Sequence, residues 1–297
     1  MGAAAGAASG LAQLDALAVE RGLALRTDAP LAPLTTLRVG GTADRLAEAR
    51  DREGLLALLR AAREAAVPCF VLGNGSDLVV ADAGIRGLVI RNRAREVSIA
   101  GHLLTADAGS PMAMLVKRCT AEALSGLEFG ISIPGTLGGA VWANAGAHDG
   151  EMRHVVEWVD AWQPADDAVT RLAAADCAFA YRESRFKHSG EVVLGATLRL
   201  ERGDPDVIRG LVDENQAQRR ATQPLADQNA GSVFRNPPGD HAGRLIDAAG
   251  LKGHRIGSAR VSERHANFIV TDRGGSAADV RALGDAVRAT VEERFDV

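Results

Sequence analysis

The sequence predicts an α+β fold in two parts that divide near Gly203. Before this point, short apolar runs rich in β-branched residues alternate with segments of helical period, and Gly, Asn or Asp bounds each run. After Gly203-Asp204-Pro205 the pattern changes to a charged helix, a Gly/Asn/Pro-rich stretch, one strand and a last helix. A chain of 297 residues is long enough for two domains. We therefore expect a larger part over residues 11–203 and a smaller α+β part over residues 204–297.

Individual elements follow from apolar spacing and from the positions of glycine and proline. Residues 1–10 are almost all Ala, Gly and Ser and are predicted to form a flexible tail. Helices are predicted over 11–22, 47–66, 111–123 and 205–222, around Leu245, and over 276–294. Strands are predicted over 69–72, 87–90, 97–99, 103–106, 155–163, 192–200 and 267–271.

Composition argues against several classes of function. The net charge of −4 gives no electrostatic footprint for nucleic acid. The longest uncharged run, Phe129–Ala147, nearly matches a bilayer in length, but Pro134 and several glycines would make a poor spanning helix. We therefore expect no membrane segment.

The cysteines and histidines indicate neither a disulfide framework nor a metal site. The three cysteines are odd in number and far apart, which favours a reducing cytoplasm: Cys69, Cys119 and Cys177. The histidines show no metal-ligand spacing, so each is interpreted as a hydrogen-bonding surface residue rather than a ligand: His148, His241 and His265.

Two glycine-rich segments indicate a ligand that approaches the backbone closely. The first follows a strand and could turn its N–H groups around phosphate oxygens: Gly73, Asn74, Gly75, Ser76 and Asp77. An ordinary turn between strands explains this segment alone equally well. The second has little side chain for a core, although tight helix packing is the alternative: Pro134, Gly135, Thr136, Gly138, Gly139, Asn144 and Gly146. Together they suggest one long ligand with a pyrophosphate in the middle.

Two polar segments are weak signals when each is taken alone. Tyr181–Lys187 reads most simply as a solvated basic turn. In Ala230–Pro237 a small Ala-Gly pair would expose the Ser232 hydroxyl, but a serine in a Gly-Pro turn is the simpler interpretation. No GxSxG elbow surrounds Ser232, so hydrolase chemistry is poorly supported.

In this order, the segments resemble the UDP-N-acetylenolpyruvoylglucosamine reductase family, from about Thr35 to Val297. The matching motifs are Thr36–Gly41 (T-L-x-V-G-G), Gly73–Asp77, Ile133–Ala147 (I-P-G-T-x-G-G-A-x-x-N-A-G-A), Tyr181–Lys187 (Y-R-x-S-x-F-K), Ala230–Pro237 (A-G-S-x-F-K-N-P), Ala242–Asp247 and His265–Val270. The motifs are specific because they occur jointly. The chain resembles the more compact branch of the family.

The resemblance implies an N-terminal FAD-binding region of the p-cresol methylhydroxylase type and a smaller C-terminal α+β substrate-binding domain. It implies non-covalent FAD, with NADPH as hydride donor. The substrate would be UDP-N-acetylglucosamine enolpyruvate, a UDP-amino sugar enolpyruvyl ether, reduced to UDP-N-acetylmuramate in cytoplasmic peptidoglycan synthesis. Hydride would pass from NADPH to the flavin, and then to the vinyl carbon distal to the ether oxygen.

The resemblance also implies roles for particular residues. Ser232 would protonate the enolate at the ether-bearing carbon. Arg182 would hold the carboxylate and stabilise the developing charge, and Tyr181 and Asn236 would contact the substrate. The glycine-rich segments above would bind FAD.

The chain departs from the family pattern at a few positions. Asp77 stands where the family usually has Asn, and Arg235 replaces Lys. Thr271-Asp272 replaces a more usual Val-Asn step. The sequence ends at Val297, before the strand on which the family carries a C-terminal Glu, so no residue is carried over for that carboxylate.

Two alternatives remain open on the sequence alone. A different flavin oxidase or dehydrogenase on the same scaffold would explain the glycine-rich loops but not Tyr181–Lys187 or Ser232–Pro237. A flavin-binding protein with impaired turnover would explain the carboxylate that has no counterpart. A yellow protein that NADPH bleaches and only the enolpyruvyl UDP-sugar recolours would be the reductase.

Overall fold

The computed structural model describes residues 2–297, with side chains from residue 8 onwards. Within this range the α-helices are α1 (Gly2–Glu20), α2 (Arg52–Glu64), α3 (Met112–Ala121), α4 (Leu137–Trp142), α5 (Pro205–Thr222), α6 (Ala242–Ala248) and α7 (Ala277–Phe295). The strands are β1 (Arg26–Pro30), β2 (Thr42–Ala49), β3 (Cys69–Leu72), β4 (Ile85–Asn92), β5 (Val97–Ala100), β6 (Leu103–Asp107), β7 (Leu124–Ser125), β8 (Gly146–Ala147), β9 (Gly150–Glu151), β10 (Val156–Gln163), β11 (Ala168–Ala173), β12 (Val192–Arg199), β13 (Glu201–Arg202), β14 (Gln228–Ser232), β15 (Arg255–Ile256), β16 (Ala259–Val261) and β17 (Phe268–Thr271).

The strands form three larger sheets and two short ribbons. The first sheet has the order β1-β2-β4-β3, and its β3–β4 pair is parallel. The second, β11-β10-β12-β6-β5, is antiparallel throughout. The third, β14-β17-β16-β15, is also antiparallel. The ribbons pair β13 with β7 and β8 with β9.

The chain divides into two compact units, and each is built from separate stretches of sequence. The first unit comprises residues 1–27, 44–73 and 86–217. The second comprises residues 28–43, 74–85 and 218–297. This division differs from the predicted single boundary near Gly203, because two short internal stretches join the second unit and its last stretch begins at Gln218.

Helices α1 and α2 share one apolar cluster of the first unit with strand β4. Asp51 starts α2, since its side chain accepts the backbone N–H of Gly54 at 2.7 Å. The buried face of α2 carries Leu55, Leu58, Leu59, Ala61 and Ala62. This spacing places one apolar stripe of the helix against the cluster.

A second cluster of the first unit surrounds the five-stranded sheet. In its central strand β12, the six residues from Val193 to Leu198 are all buried, although Thr197 is polar. The Thr197 hydroxyl is satisfied by the hydroxyl of Thr105 on the neighbouring strand, at 2.9 Å. A strand buried on both faces needs such a partner for every polar group.

The second unit has its own core, between its sheet and helices α6 and α7. Leu37 and Val39 belong to this core although they lie early in the chain. Helix α7 is capped twice: Ser276 accepts the N–H of Asp279 at 3.1 Å, and the carboxylate of Asp82 accepts two further N–H groups. These acceptors satisfy donors that the first helical turn leaves unpaired.

The predicted strands agree with the observed ones to within a few residues, and two other expectations need correction. Helix α1 begins at Gly2, so residues 2–10 are helical where a flexible tail was expected; Met1 lies outside the described residues. The expected helix over 47–66 begins only at Arg52, because residues 47–49 end strand β2.

Among residues 2–297, no helix combines the length and apolar character needed to cross a bilayer.

Candidate active site

Gly73, the first residue of one predicted glycine-rich loop, contacts the second loop inside the first unit. Gly73 follows β3, and Thr136 immediately precedes α4. A Cβ atom added at Gly73 would lie 2.5 Å from Oγ1 of Thr136, far inside van der Waals contact. The loops therefore approach this closely because residue 73 has no side chain.

The second loop is anchored on one side and open on the other. The N–H of Gly138 donates to the Ala108 carbonyl at 2.8 Å, and a Cβ added there would lie 2.8 Å from the Ala108 Cβ. A Cβ on Gly139 would meet only Oγ1 of Thr136, at 4.0 Å. Two more backbone bonds anchor the loop: Leu137 N–H to Ser110 O (2.9 Å) and Met112 N–H to Gly135 O (3.1 Å). Gly138 thus serves packing, and Gly139 borders open space.

Two features of the second unit require glycine at position 75: a left-handed backbone and a close contact with other backbone atoms. Its φ is +64°, in the left-handed region. An added Cβ would lie 2.3 Å from the Leu34 carbonyl oxygen and 2.8 Å from Cα of Thr35. The Gly75 carbonyl accepts the N–H of Thr36 at 2.9 Å. The close approach at Gly75 is therefore to backbone, whereas the sequence pattern had suggested a phosphate.

The surroundings of the glycines show which of them border open space. Glycine is required at positions 73, 75 and 138 by contacts within the protein, and Gly139 leaves space for a ligand. The Gly138 N–H is bonded within the protein, so it contributes packing rather than an amide to the predicted pyrophosphate site. Elsewhere in the predicted set, Asn74 and Ser76 are half-buried, whereas Asp77 and Pro134 are exposed.

Tyr181 and Arg182 lie at the tip of a tight turn in the first unit. Ala180 and Glu183 close the turn with two reciprocal backbone hydrogen bonds of 3.1 and 3.0 Å. Arg182 has a φ of +55°, which is uncommon for a residue with a side chain. The Tyr181 side chain is 43% exposed. The turn therefore presents two of the three predicted substrate-binding residues next to one another.

The Arg182 guanidinium is oriented by two neighbours. Nη2 donates to the Gly146 carbonyl at 2.7 Å, and Cζ lies 5.1 Å from the centre of the Tyr181 ring. A Cβ on Gly146 would lie 3.2 Å from Nη1 of Arg182 and 2.5 Å from the Gly150 carbonyl. Gly146, predicted to bind the cofactor, therefore makes room for Arg182 and holds it.

Asn144, predicted to bind the cofactor, is fully buried, with a φ of +41°. Its Nδ2 group donates to the Ala180 carbonyl at 2.8 Å and to Oε2 of Glu151 at 3.1 Å. Its Oδ1 accepts the N–H of Arg153 at 2.9 Å. Both N–H bonds of the amide are thus used inside the protein.

Ser232 ends strand β14 of the second unit. It pairs with Phe268 on β17 after a register shift that begins at Asn229, and its side chain is exposed. Gly231 before it has a φ of +81°, with nothing within 4 Å of an added Cβ. Ser232 is therefore an exposed residue at an irregular strand end.

Asn267 fixes the segment that follows Ser232. Its side chain accepts the N–H of Phe234 at 2.9 Å and donates to the carbonyl of the same residue at 2.8 Å. Its own carbonyl accepts the N–H of Val233 at 2.8 Å. Asn236, farther along, accepts the N–H of Ala242 at the start of α6, at 3.1 Å. The predicted substrate-binding loop is thus held at two points.

His265 supports Asn267 in turn. Its Nδ1 accepts the N–H of Asn267 at 3.2 Å, and its ring lies 4.8 Å from the ring of Phe268. Burial lowers the pKa of His265 below its ordinary value of 6.5. The neutral ring is therefore favoured, as an accepting nitrogen requires. Sequence reasoning had assigned His265 to the surface and Asn267 no role, although both lie in the quoted His265–Val270 motif.

Comparison with known proteins gives two family matches. The model of the UDP-N-acetylenolpyruvoylglucosamine reductase C-terminal domain matches residues 223–297. The model of an FAD-binding domain matches residues 43–173. Together with the solved structure described below, these matches confirm the predicted α+β fold, with an FAD-binding region followed by a smaller C-terminal domain.

Two reductases and one solved structure match most of the chain. UDP-N-acetylenolpyruvoylglucosamine reductase 2 of Symbiobacterium thermophilum is 45% identical over 276 residues, covering 92% of this chain and 89% of the relative. The reductase of Anaeromyxobacter dehalogenans is 47% identical over 279 residues, covering 93% and 84%. The crystal structure of UDP-N-acetylenolpyruvylglucosamine reductase (MurB) from Thermus caldophilus has a TM-score of 0.78 at 36% identity, covering 92% of this chain and 96% of that one.

Proposed function

Because this chain belongs to the UDP-N-acetylenolpyruvoylglucosamine reductase family, we propose that Arg182 and Ser232 carry out the substrate-side chemistry of the reaction. The chain is an FAD-dependent oxidoreductase that reduces UDP-N-acetylglucosamine enolpyruvate to UDP-N-acetylmuramate, with NADPH as hydride donor. This reaction belongs to peptidoglycan synthesis. Bound FAD supplies the hydride transfer between NADPH and the enolpyruvyl group.

Arg182 binds the substrate carboxylate and stabilises the negative charge that develops on it. A guanidinium is planar and permanently charged, and its N–H groups match the two oxygens of a carboxylate. The main support for this role is that Arg182 lies at the tip of the Ala180–Glu183 turn, where hydrogen bonds hold both its backbone and its guanidinium. Lys187 holds the backbone of Arg182, since its Nζ donates to the Arg182 carbonyl oxygen at 2.8 Å. A preorganised positive site lowers the energy of an anion without reorganisation.

Ser232 donates a proton to the carbon that bears the ether oxygen. A serine hydroxyl is a weak acid, but an enolate is a strong base that accepts a proton at carbon. The exposed position of Ser232 at the end of β14, followed by a segment fixed by Asn267, supports this role. Asn236 and Tyr181 are proposed as further substrate contacts.

The remaining parts of the site and its setting are also proposals. FAD is bound non-covalently by Gly73–Asp77 and by Thr136 and Gly139, with the other predicted residues of these loops shaping the backbone. The free thiols of Cys69, Cys119 and Cys177 support a cytoplasmic location. The net charge of −4 favours a small-molecule substrate over a nucleic-acid partner.

The site assignment is tested by measuring the two half-reactions separately under anaerobic conditions. NADPH should bleach the flavin of the purified protein, and the enolpyruvyl UDP-sugar should restore its colour in one turnover. Arg182→Ala and Ser232→Ala should slow only the second step. Equal slowing of both steps in either variant would remove that residue from the proposed chemistry.

A further inference from the structure

The Tyr181–Arg182 turn is held by one neighbouring segment, residues 142–146. Before the turn, the Asn144 amide donates to the Ala180 carbonyl at 2.8 Å. After the turn, the hydroxyl of the buried Ser184 donates to the Trp142 carbonyl at 2.6 Å. At the tip, Gly146 accepts from the Arg182 guanidinium at 2.7 Å. The same short segment thus contacts the turn before, at and after Arg182.

Lys187 adds a fourth contact. Its Nζ donates to the Arg182 backbone carbonyl at 2.8 Å and lies 4.6 Å from the centre of the Trp142 ring. The backbone of Arg182 is in the left-handed region, which costs a residue with a side chain free energy. Such a conformation persists only when its surroundings determine it. These contacts supply that determination.

We propose that Asn144 is a positioning residue for Arg182 rather than a ligand of FAD, and that Lys187 assists it. The proposal rests on the proposed role of Arg182 in the reaction. Asn144 is 0% exposed, and both of its N–H bonds are used by Ala180 and Glu151. An asparagine also suits φ +41° better than most residues. Oε2 of Glu151 also lies 2.9 Å from Nε of Arg153. This ion pair holds the carboxylate that accepts from the Asn144 amide.

Displacement of Arg182 should affect only steps in which Arg182 takes part. A misplacement of about 1 Å in a catalytic group can cost on the order of 10²-fold in rate. Asn144→Gly removes the amide while the backbone keeps its left-handed conformation without strain. We expect this variant to retain FAD and to be reduced by NADPH at a rate within about threefold of wild type. Reoxidation by the enolpyruvyl UDP-sugar should slow by about 10- to 100-fold.

A double-mutant cycle separates positioning from general destabilisation. If Asn144 acts through Arg182, adding Asn144→Gly to Arg182→Ala should slow reoxidation no further. Asn92→Gly is the matched control, since Asn92 is also buried and its side chain accepts the N–H of Ala94 at 3.0 Å. This control should lower the melting temperature without a selective effect on reoxidation.

Three results would overturn the proposal. If the double variant loses as much reoxidation rate as the two single losses multiplied together, Asn144 acts independently of Arg182. Loss of FAD from Asn144→Gly would make Asn144 a cofactor-binding residue. A normal reoxidation rate in the Arg182→Ala single variant would instead show that Arg182 takes no part in the reaction. This result is obtained from the single variant, before the double variant is measured.

A second variant keeps the test available if Asn144→Gly does not fold. Lys187→Met keeps a long side chain against Trp142 but removes the bond to the Arg182 carbonyl. We expect selective slowing of reoxidation that vanishes in the Arg182→Ala background. Slowing of the same size in both backgrounds would contradict the proposed role of the Arg182 backbone.

Discussion

At the scale of single residues, two of the predicted site residues adopt backbone conformations that residues with side chains disfavour. Arg182 has φ +55° and Asn144 has φ +41°, and the conformation costs Arg182 roughly 1–2 kcal/mol relative to an ordinary one, whereas asparagine tolerates it better. Sequence motifs identified both residues, but a motif records residue types and not dihedral angles. The hydrogen bonds from Asn144 to Ala180 and from Lys187 to Arg182 therefore became visible only in the structure.

Ser232→Ala should slow protonation of the substrate and leave the other half-reaction intact. General acid catalysis typically contributes about 10²–10⁴-fold, so reoxidation by the enolpyruvyl UDP-sugar should slow within that range. Reduction by NADPH should be nearly unchanged, because the hydroxyl acts only on the substrate. Stopped-flow flavin absorbance measures both rates. Ser98→Ala, at an exposed serine in strand β5, is the matched control. A loss below threefold in Ser232→Ala would assign the proton to another group.

Arg182→Lys should also slow reoxidation, by about 10-fold or more, although the charge is kept. The ammonium cannot make the two parallel bonds that a guanidinium makes to a carboxylate, and it is too short to reach the Gly146 carbonyl in the same way. The KM for the UDP-sugar should rise as kcat falls. Arg209→Lys, at an exposed arginine on α5, should leave both constants unchanged. Wild-type kinetics in Arg182→Lys would show that charge alone suffices.

The free energy of unfolding should contain a contribution from His265 that depends on pH. Burial lowers the pKa of His265 from 6.5 in the folded state. Above about pH 6.5 the ring is neutral in both states, so it adds no penalty. As pH falls below 6.5, the unfolded chain binds a proton first, and stability is lost until the folded pKa is passed. Urea unfolding at about pH 7.5 and about pH 5.5 should therefore show a larger loss for wild type than for His265→Gln. Equal losses would contradict this sign.

At the scale of elements, the strands were predicted well where an apolar run is buried without interruption. Strands β3, β5, β6 and β12 agree with the predicted bounds to within one residue at each end. Strand β11 was missed because its residues alternate weakly and are mostly exposed. The start of α2 was placed too early because Ala47 and Ala49 continue the apolar pattern, although they belong to β2.

Helix α1 shows a different limit of the sequence pattern. Residues 2–10 were interpreted as too small and flexible to fold, but alanine has the highest helix propensity of all residues. The glycines at 2, 6 and 10 reduce this propensity without cancelling it. Farther along, Leu14 and Leu17 pack against α2, which stabilises the helix through tertiary contact.

The loop at Gly75 should tolerate no side chain, and Gly101 offers a matched control. Both have nearly the same φ, +64° and +65°, but an added Cβ has nothing within 4 Å at Gly101 and lies 2.3 Å from the Leu34 carbonyl at Gly75. Gly101→Ala should therefore cost only the left-handed strain, about 1 kcal/mol. Gly75→Ala should cost more and reduce the flavin content of the purified protein, measured by absorbance. Equal costs and full flavin content would show that the loop can relax.

At the scale of the whole molecule, the chain crosses between its two compact units several times. Residues 28–43 and 74–85 belong to the second unit although they precede most of the first. A change of pattern along a sequence can indicate one boundary, such as Gly203, but cannot show that an early loop packs with a late sheet. The hydroxyl of Thr271 illustrates the cause: it donates to the Leu37 carbonyl at 2.9 Å, across 234 positions of sequence.

The predicted site residues are accordingly divided between the units. Gly73 and Arg182 lie in the first unit, and Asn74–Asp77 and Ser232 lie in the second. The residue types of the site could be predicted from motifs, because glycine, arginine and serine have particular chemical uses. The supporting residues could not, since Asn267 and Glu151 act through contacts that depend on the folded chain.

Non-covalent FAD should stabilise the folded protein in proportion to its concentration. A ligand that binds only the folded state adds RT ln(1 + [L]/Kd), or about 2.7 kcal/mol at 100 times Kd. Apoprotein prepared by acid release of the flavin should therefore unfold at a urea midpoint that rises with added FAD. Riboflavin, which lacks the pyrophosphate, is the matched control and should raise the midpoint much less, because the glycine-rich loops are proposed to hold the phosphates. Flavin that stays with acid-precipitated protein would show a covalent link, and an equal effect of riboflavin would show that the loops contribute no affinity.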